Sequence, residues 1–320
     1  MKILVTPRSV TRTHGHPSLK PLEDAGYEVV FSTPGTLPGE DELLKLLPGC
    51  IGYLAGVEKI SAKVLNTVSD LRVISRNGTG VDSIDLEAAE RSGIAVCRAA
   101  GANARGVAEL TFGLILSLIR SIPFSDAAMK TQRWVRREGI EVAGRTLGLI
   151  GCGVVGKYVA KLALGFDMNV LACDPYPDYS FHPGERFSYA RMDELLERSD
   201  IISLHCPPMA DGKPLVDAAM IGRMKNGVYL VNTARGSLLD QDAALAALTS
   251  GKISGIGVDA FDPEPPEDWR ITLDPRVIAT PHIGGYTGES IERAMSVAVD
   301  NLLHALVSAK NVAQARKRHE

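Results

Sequence analysis

The chain has 320 residues, of which 45% are hydrophobic and 23% are charged, and these fractions are typical of globular proteins and exclude disorder as its main state. Its 35 Lys and Arg residues against 38 Asp and Glu residues give a net charge of −3, so it lacks the basic surface that would attract a nucleic acid or an anionic membrane. A chain of this length predicts two domains.

The first hundred residues alternate short β-rich runs with helical patterns. Strands are predicted over residues 2–6, 28–32, 51–55, 71–75 and 94–97, and helices over residues 41–47, 62–68 and 86–92. Such an alternation is typical of a parallel sheet that is covered by helices. The pattern of the first hundred residues therefore predicts one α/β lobe.

A long helix is predicted next, over residues 104–120, with Pro123 just beyond its end. Its longest apolar stretch, residues 110–119, falls short of the roughly 20 residues that a membrane span needs. The apolar run near the N-terminus covers only residues 3–5, which is too short for a signal peptide. The five cysteines form no Cys-x-x-Cys pair, which disfavours a disulfide framework or a metal site. We therefore expect a cytoplasmic protein that contains no metal and binds no membrane.

A second series of strands begins near residue 146. Six runs are apolar on successive residues, which is typical of strands buried on both faces. They cover residues 146–151, 169–174, 200–206, 228–233, 254–261 and 276–282. With helices between them they predict a doubly wound parallel sheet. A final helix is predicted over residues 288–306.

A glycine-rich loop, GCGVVG (residues 151–156), follows the first strand of this second series directly, and a helix follows the loop. Gly151 permits a tight turn, Gly153 lets the backbone approach a pyrophosphate, and Gly156 lets the helix pack close to the strand. The loop, with Val154 and Val155 at the start of the helix, offers N–H groups to phosphates. A purely structural glycine turn is the alternative.

Asp174 follows Gly156 by 18 residues, at the end of the next predicted strand. A carboxylate there accepts hydrogen bonds from the ribose hydroxyls of a dinucleotide and repels a 2′-phosphate. NAD is therefore predicted over NADP. Cys152 lies inside the glycine loop, where a helix N-terminus can lower the pKa of a thiol, although an inert side chain is the favoured interpretation.

Charged residues follow three of the later strands. Arg235, Glu264 and His282 should lie at the same sheet edge as the glycine loop, because ligands bind beyond the carboxyl ends of parallel strands. Arginine presents a planar fork that suits a carboxylate, and histidine moves protons near neutral pH. A glutamate beside the histidine would raise the pKa of its imidazole. A surface ion pair for Glu264 and a helix-end contact for Arg235 remain the alternatives.

Five motifs together resemble the D-isomer-specific 2-hydroxyacid dehydrogenases, most closely the D-3-phosphoglycerate dehydrogenase branch. They are the glycine loop, RNGTGVDSID (residues 76–85), VNTARG (231–236), VDAFDPEP (258–265) and TPHIG (280–284). They occur in family order, and the similarity covers residues 40–306. The resemblance implies an α/β protein of two doubly wound lobes. A Rossmann NAD-binding domain (residues 100–285) would be inserted in a flavodoxin-like substrate domain (residues 1–99 and 286–320), with the catalytic cleft where they meet.

The resemblance also implies residue roles. His282 would be the general acid/base and Glu264 its partner, while Arg235 would anchor the substrate. Backbone N–H groups around Asn77 and Gly78 would hold the substrate carboxylate. The cofactor would contact Thr79, Cys206, Thr233, Ala234, Asp259 and Gly284, with Asp259 near the nicotinamide carboxamide. The implied activity is hydride transfer between NAD and a D-2-hydroxyacid or 2-oxoacid, and family members are typically homodimers through the inserted lobe.

The sequence departs from the phosphoglycerate branch in one place. Where that branch usually carries an Arg-Ser pair that meets the substrate phosphate, this chain reads LAGVEK (residues 54–59). Phosphoglycerate oxidation is the first expectation, with Arg8, Arg76 or a partner subunit as other sources of a phosphate clamp. An unphosphorylated substrate of the glycerate or hydroxypyruvate type is the alternative. From the 320-residue length we do not expect the regulatory C-terminal domains that some members carry.

Two more distant alternatives share parts of the motif set. NAD-binding corepressors of the superfamily keep the same Arg, Glu and His, so a non-enzymatic regulator is one of them. Formate dehydrogenases pair the histidine with Gln where Glu264 stands here, and phosphite oxidation is compatible with the same triad.

Overall fold

The computed structural model describes residues 1–12 and 16–317, and in the last helix it describes side chains as far as residue 308. His14, which has no metal-ligand companions at suitable spacing in the sequence, lies outside the described residues. The chain divides into two compact units. Unit 1 is Met1–Asn103 together with the chain from Gly288 onward, and unit 2 is Ala104–Thr287.

Unit 1 contains a parallel sheet of five strands in the order β2-β1-β3-β4-β5. The strands are β1 (Lys2–Val5), β2 (Glu28–Phe31), β3 (Cys50–Ala55), β4 (Val73–Arg76) and β5 (Ala95–Arg98). This order is that of the flavodoxin-like doubly wound sheet. The helices between the strands are α1 (Arg8–Thr11), α2 (Lys20–Asp24), α3 (Glu40–Leu46), α4 (Ala62–Thr67) and α5 (Leu86–Arg91).

Unit 2 contains a parallel sheet of seven strands in the order β12-β11-β10-β9-β6-β7-β8. The strands are β6 (Thr146–Ile150), β7 (Asn169–Cys173), β8 (Phe187–Tyr189), β9 (Ile201–Leu204), β10 (Val228–Asn232), β11 (Ile253–Val258) and β12 (Val277–Ala279). The strand order reverses at β6 and β9, as in the Rossmann fold. The predicted fold class is therefore confirmed.

The remaining helices complete both units. They are α6 (Ala104–Ile119), α7 (Ile122–Lys130), α8 (Val154–Gly165), α9 (Met192–Arg198), α10 (Ala218–Arg223), α11 (Gln241–Ser250), α12 (Arg270–Leu273) and α13 (Gly288–Lys317). Helix α13 packs on the sheet of unit 1, where the Ser75 hydroxyl donates to the Ala298 carbonyl at 2.7 Å. Gly52 of β3 leaves room there for the side chains of Leu302 and Leu306.

Three sequence predictions were wrong in detail. The second sheet has a seventh strand, β8, which has only three residues and no continuous apolar run to reveal it. Helix α7 was missed because Pro123 indicates a helix end, whereas here it occupies the first turn of a new helix, where its missing N–H costs nothing. Helix α13 continues beyond residue 306 to Lys317, although the tail is polar.

Within the described ranges, no single helix is both long and apolar enough to span a membrane. Helices α6 and α7 reach that length and apolar character only when they are taken together, and the chain bends by 64° between them.

Candidate functional site

The glycine loop forms a tight turn between β6 and α8. Gly151 has a φ of +95°, and a Cβ at this position would lie 2.6 Å from the His205 carbonyl oxygen. A Cβ on Gly156 would overlap the carbonyl of Gly151, so the first turn of α8 can approach the loop only because both residues are glycines. A Cβ on Gly153, by contrast, would meet open space. The loop therefore presents backbone and the N-terminus of a three-turn helix to that space, which fits a pyrophosphate.

Asp174 directly follows β7 and is tied to the glycine loop. Its Oδ2 accepts a hydrogen bond from the Cys152 N–H at 2.7 Å, and its Oδ1 accepts one from the Tyr176 N–H at 2.9 Å. These bonds fix the carboxylate at the carboxyl edge of the sheet, and each oxygen has a second lone pair for a ribose hydroxyl. The arrangement fits a dinucleotide without a 2′-phosphate.

The cysteines near this loop are not activated. Burial raises the pKa of the Cys152 thiol, and it raises the pKa of Cys206 to about 11. Desolvation of the thiolate is the largest cause of the raised pKa of Cys152, which favours the interpretation of Cys152 as an inert side chain. Cys206 and Ala234 are half-buried beyond the ends of β9 and β10.

Two features hold Arg235 in place after β10. The Asn232 side chain donates to the Arg235 carbonyl at 2.7 Å and accepts from the Ala234 N–H at 3.1 Å. A Cβ on Gly236 would overlap the backbone of Phe261. The Arg235 loop therefore packs directly on the segment that follows β11.

That neighbouring segment carries Glu264, which is paired with His282. The His282 Nδ1 lies 2.8 Å from each carboxylate oxygen of Glu264, and the Phe261 N–H donates to Oε1 at 3.0 Å. Burial raises the pKa of Glu264, but the hydrogen bonds from His282 and Phe261 and the charge of Arg235 outweigh it and leave the pKa lowered. The hydrogen bond to Glu264 raises the pKa of His282 against the opposing effect of burial.

The Asp259 carboxylate holds the loop that contains His282. The Asp259 residue is 1% exposed, and its carboxylate accepts from the Thr280 hydroxyl at 2.6 Å and from the N–H groups of Ile283 and Gly284 at 2.8 Å each. His282 itself has a left-handed backbone with a φ of +52°, which is unfavourable for a residue with a Cβ. Three charge-assisted hydrogen bonds to Asp259, one from Thr280 before His282 and two from Ile283 and Gly284 after it, stabilise that conformation.

Two of the predicted cofactor residues have structural contacts of their own. The Thr233 hydroxyl lies 2.8 Å from the Thr111 hydroxyl of α6, which joins that helix to the end of β10. A Cβ on Gly284 would lie 3.0 Å from the Asp259 carboxylate and 3.3 Å from the Val107 side chain. Thr233 therefore ties α6 to the sheet edge of unit 2, and the missing side chain of Gly284 leaves room for the close approach of Val107 and Asp259.

The predicted substrate loop lies in unit 1, directly after β4. The Asn77 N–H donates to the Ala55 carbonyl at 2.8 Å, and the Gly78 N–H donates to the Arg76 carbonyl at 2.8 Å. Both N–H groups that were expected to face a substrate are thus engaged, the first by extension of the sheet and the second in a three-residue turn. The Thr79 hydroxyl donates to Asn103 Oδ1 at 3.1 Å.

The sequence did not predict that Asn232, Gly236 and Asp259 hold the loops of the site in place. The first two lie inside the VNTARG motif, and a polar residue at the last position of a buried strand was the available signal for Asn232. Asp259 was expected only near the cofactor, because hydrogen bonds to a loop more than 20 residues away are invisible in sequence. Among the described side chains, no group of three or more His, Cys, Asp or Glu residues could hold a metal ion.

Comparison with known proteins gives a consistent result. Residues 112–284 match the family model described as "D-isomer specific 2-hydroxyacid dehydrogenase, NAD binding domain". The chain is 38% identical over 274 residues to the hydroxypyruvate reductase of Thermotoga maritima, covering 83% of this chain and 88% of that protein. It is 37% identical over 294 residues to the D-3-phosphoglycerate dehydrogenase of Methanocaldococcus jannaschii, covering 90% of this chain but only 55% of that protein.

Solved structures agree with these sequence matches. The D-lactate dehydrogenase of Aquifex aeolicus, solved as a complex with NAD and lactic acid, has a TM-score of 0.80 and 30% sequence identity, with 96% of each chain covered. The likeness extends over both units of the chain.

Proposed function

Because the chain belongs to the D-isomer specific 2-hydroxyacid dehydrogenases, a family of NAD-dependent oxidoreductases, we propose that it interconverts a D-2-hydroxyacid and the matching 2-oxoacid. The observation that carries this proposal is the 2.8 Å contact of His282 with Glu264, close enough to Arg235 for its charge to act on both. Residues 104–287 would form the NAD-binding domain, and the rest of the chain the substrate domain.

His282 is the general acid and base. Glu264 accepts from Nδ1, so Nδ1 carries a proton and Nε2 is the nitrogen that gains and loses one. In the reducing direction protonated Nε2 donates its proton to the carbonyl oxygen of the 2-oxoacid. In the oxidising direction neutral Nε2 removes the hydroxyl proton. Glu264 holds the ring in the required tautomer and stabilises the imidazolium.

Arg235 anchors the substrate and stabilises charge. Its guanidinium can bind a carboxylate with two parallel hydrogen bonds. In the reduction it also stabilises the negative charge that develops on the carbonyl oxygen before His282 protonates that oxygen. The loop after β4, with Asn77 and Gly78, is the second element that we assign to the substrate carboxylate, and its three-residue turn at Gly78 would have to open for the N–H to donate.

The cofactor would be held by the glycine loop, by Asp174 and by the ends of β9, β10 and β11. Open space at Gly153, the N-terminus of α8 and the fixed Asp174 carboxylate support this assignment. NAD, when bound, supplies or accepts the hydride. Cys206, Thr233, Ala234 and Gly284 would line the nicotinamide end, and Asp259 would support it by holding the loop 280–284.

Turnover with NADH tests the proposal. Absorbance of NADH at 340 nm should fall when hydroxypyruvate, glyoxylate or pyruvate is added, and NADH should form when the matching hydroxyacid is added with NAD. His282→Ala should lower kcat by roughly 10²–10⁴-fold, the contribution typical of a general acid. Binding of NADH without reduction of any 2-oxoacid would contradict this proposal and favour the alternative of a non-enzymatic regulator.

We further propose that the protein is a homodimer through unit 2. The segment 131–145, which lies wholly within the described part of the chain, forms neither helix nor strand, and it carries Trp134 with 80% of its surface exposed. Ile122 and Met129 are exposed close to it in sequence. Sedimentation velocity should show a dimer that Trp134→Ser weakens, whereas Tyr179→Ser, equally exposed, should leave it unchanged.

A further inference from the structure

A buried carboxylate lies at the carboxyl edge of the sheet in unit 1. Glu58, three residues after the end of β3, is only 1% exposed. Its Oε1 accepts hydrogen bonds from the Tyr53 hydroxyl at 2.6 Å, from the Gly56 N–H at 2.8 Å and from the Thr6 hydroxyl. Buried glutamates are rare unless they are paired. The carboxylate of this one links β3 to Thr6, the residue after β1.

Two buried oxygens at this edge lack a donor. Glu58 Oε2 has no hydrogen-bond partner, and neither has Asn77 Oδ1. The two residues that carry these oxygens are neighbours at the edge. The Asn77 N–H donates to the carbonyl of Ala55, and the N–H of Gly56, the next residue, donates to Glu58. Both oxygens are acceptors, and buried acceptors of this kind are normally satisfied by a donor. The edge therefore favours a ligand group that donates a hydrogen bond.

A phosphate group is poorly suited to such an edge. Its ionised oxygens accept hydrogen bonds but do not donate them, and its negative charge adds to that of Glu58 in surroundings of low dielectric constant. The nearest cation of the motif, Arg76, turns its guanidinium to the Asn77 carbonyl. Burial raises the pKa of the Tyr53 hydroxyl; Glu58 raises it further, whereas Arg76 lowers it. The negative charge of Glu58 therefore opposes the positive charge of Arg76 at this edge. Lys59, the next residue after the buried Glu58, is exposed.

We propose that Glu58 is a specificity-determining residue that makes this chain select unphosphorylated hydroxyacids, whose hydroxyl groups donate hydrogen bonds, over phosphorylated ones. The inference rests on the proposed dehydrogenase function, and in particular on the assignment of the Asn77 loop to the substrate. It names the substrate class of that same site.

A matched pair of substrates, glycerate and 3-phosphoglycerate, tests the inference. The wild-type kcat/KM with NAD should be larger for glycerate by on the order of 10²-fold, since a site that leaves polar groups unpaired rejects a ligand by about this factor or more. Glu58→Gln removes the charge, keeps an acceptor for Tyr53 and supplies a donor. This substitution should lower the ratio of kcat/KM for glycerate to that for 3-phosphoglycerate by about tenfold or more. Glu87→Gln, the same change at a side chain that is 91% exposed on α5, should leave the ratio unchanged.

The outcomes are distinguishable. Equal kcat/KM values of the wild-type chain for 3-phosphoglycerate and glycerate would overturn this inference and leave the dehydrogenase function standing. The same holds if the kcat/KM ratio of glycerate to 3-phosphoglycerate is equal in Glu58→Gln and Glu87→Gln. Failure to oxidise any hydroxyacid would overturn the function itself. If thermal melting shows that Glu58→Gln does not fold, wild-type turnover of 3-O-acetylglycerate decides the question. The group at C3 of this ester is uncharged, so its kcat/KM should exceed that of 3-phosphoglycerate by at least about tenfold. Equal rejection of both compounds would show that the size of the C3 group, not its charge, controls selection.

Discussion

The Nδ1 of His282 lies 2.8 Å from both carboxylate oxygens of Glu264, although 17 residues separate them in the chain. The contact fixes which ring nitrogen is protonated, and it raises the pKa of the imidazole while the pKa of the carboxylate falls. The two shifts have opposite directions, as expected for a pair in which each partner stabilises the charge of the other.

Glu264→Gln should move the pH dependence of reduction to lower pH. Reduction needs protonated His282, so its kcat/KM falls as pH rises through the pKa of the imidazole, which the carboxylate holds above 6.5. A neutral amide removes that stabilisation, and the fall should begin at lower pH. Oxidation, which needs neutral His282, should gain activity at lower pH in the same variant. An unshifted profile measured from pH 5 to 9 would contradict the assignment of His282 as the proton donor.

Gly236→Ala should damage catalysis more than stability. The new methyl group would overlap the backbone of Phe261 and push the Arg235 loop away from the Glu264 segment. We expect kcat/KM to fall by on the order of 10²-fold, because a misplacement of about 1 Å has that effect. The free energy of unfolding should fall by about 1–3 kcal/mol, as for other overpacked sites.

Gly222→Ala is the control for that variant. Gly222 lies in α10, and a Cβ there meets nothing within 4 Å. Helix propensity then predicts unchanged or slightly increased stability. Steady-state kinetics and urea titration measure both effects, and equal activity of the two alanine variants would refute the role of the close backbone contact.

Asp259→Asn should lower both the melting temperature and the activity. The amide has one oxygen for the three donors that the carboxylate now accepts, Thr280 Oγ1 and the N–H groups of Ile283 and Gly284. Unpaired buried donors cost roughly 1–3 kcal/mol each. The charge of Asp259 also contributes to the raised pKa of His282, so the reduction profile should shift to lower pH. A variant that loses stability without any shift would show a purely structural role.

Asp174→Ala should weaken the preference for NADH over NADPH. The carboxylate would repel a 2′-phosphate and accept from ribose hydroxyls, and the substitution removes both effects. We expect the KM for NADH to rise about tenfold, equivalent to the loss of about one hydrogen bond to a charged group. The ratio of kcat/KM for the two cofactors is the decisive quantity. Asp211→Ala, an exposed aspartate in the same unit, should change neither value.

The sequence by itself determined the fold class and the cofactor. Apolar runs, glycine spacing and polar residues at strand ends are local properties. They sufficed to predict a parallel sheet covered by helices, a second sheet that is doubly wound, NAD as cofactor and the grouping of Arg235, Glu264 and His282, whereas the two-lobed architecture came from the family resemblance. Parallel strands bring their carboxyl ends to one edge, so residues far apart in the chain can be assigned to one place without coordinates.

Only the tertiary structure decided how that place is held together. The three hydrogen bonds to Asp259, the Asn232 amide behind Arg235 and the backbone contact at Gly236 join segments from different strands, and their geometry depends on packing that no local pattern specifies. The same holds for Glu58. In sequence it is one more charged residue in a loop, and its burial, its three donors and its unsatisfied oxygen arise only when β1, β3 and β4 lie side by side.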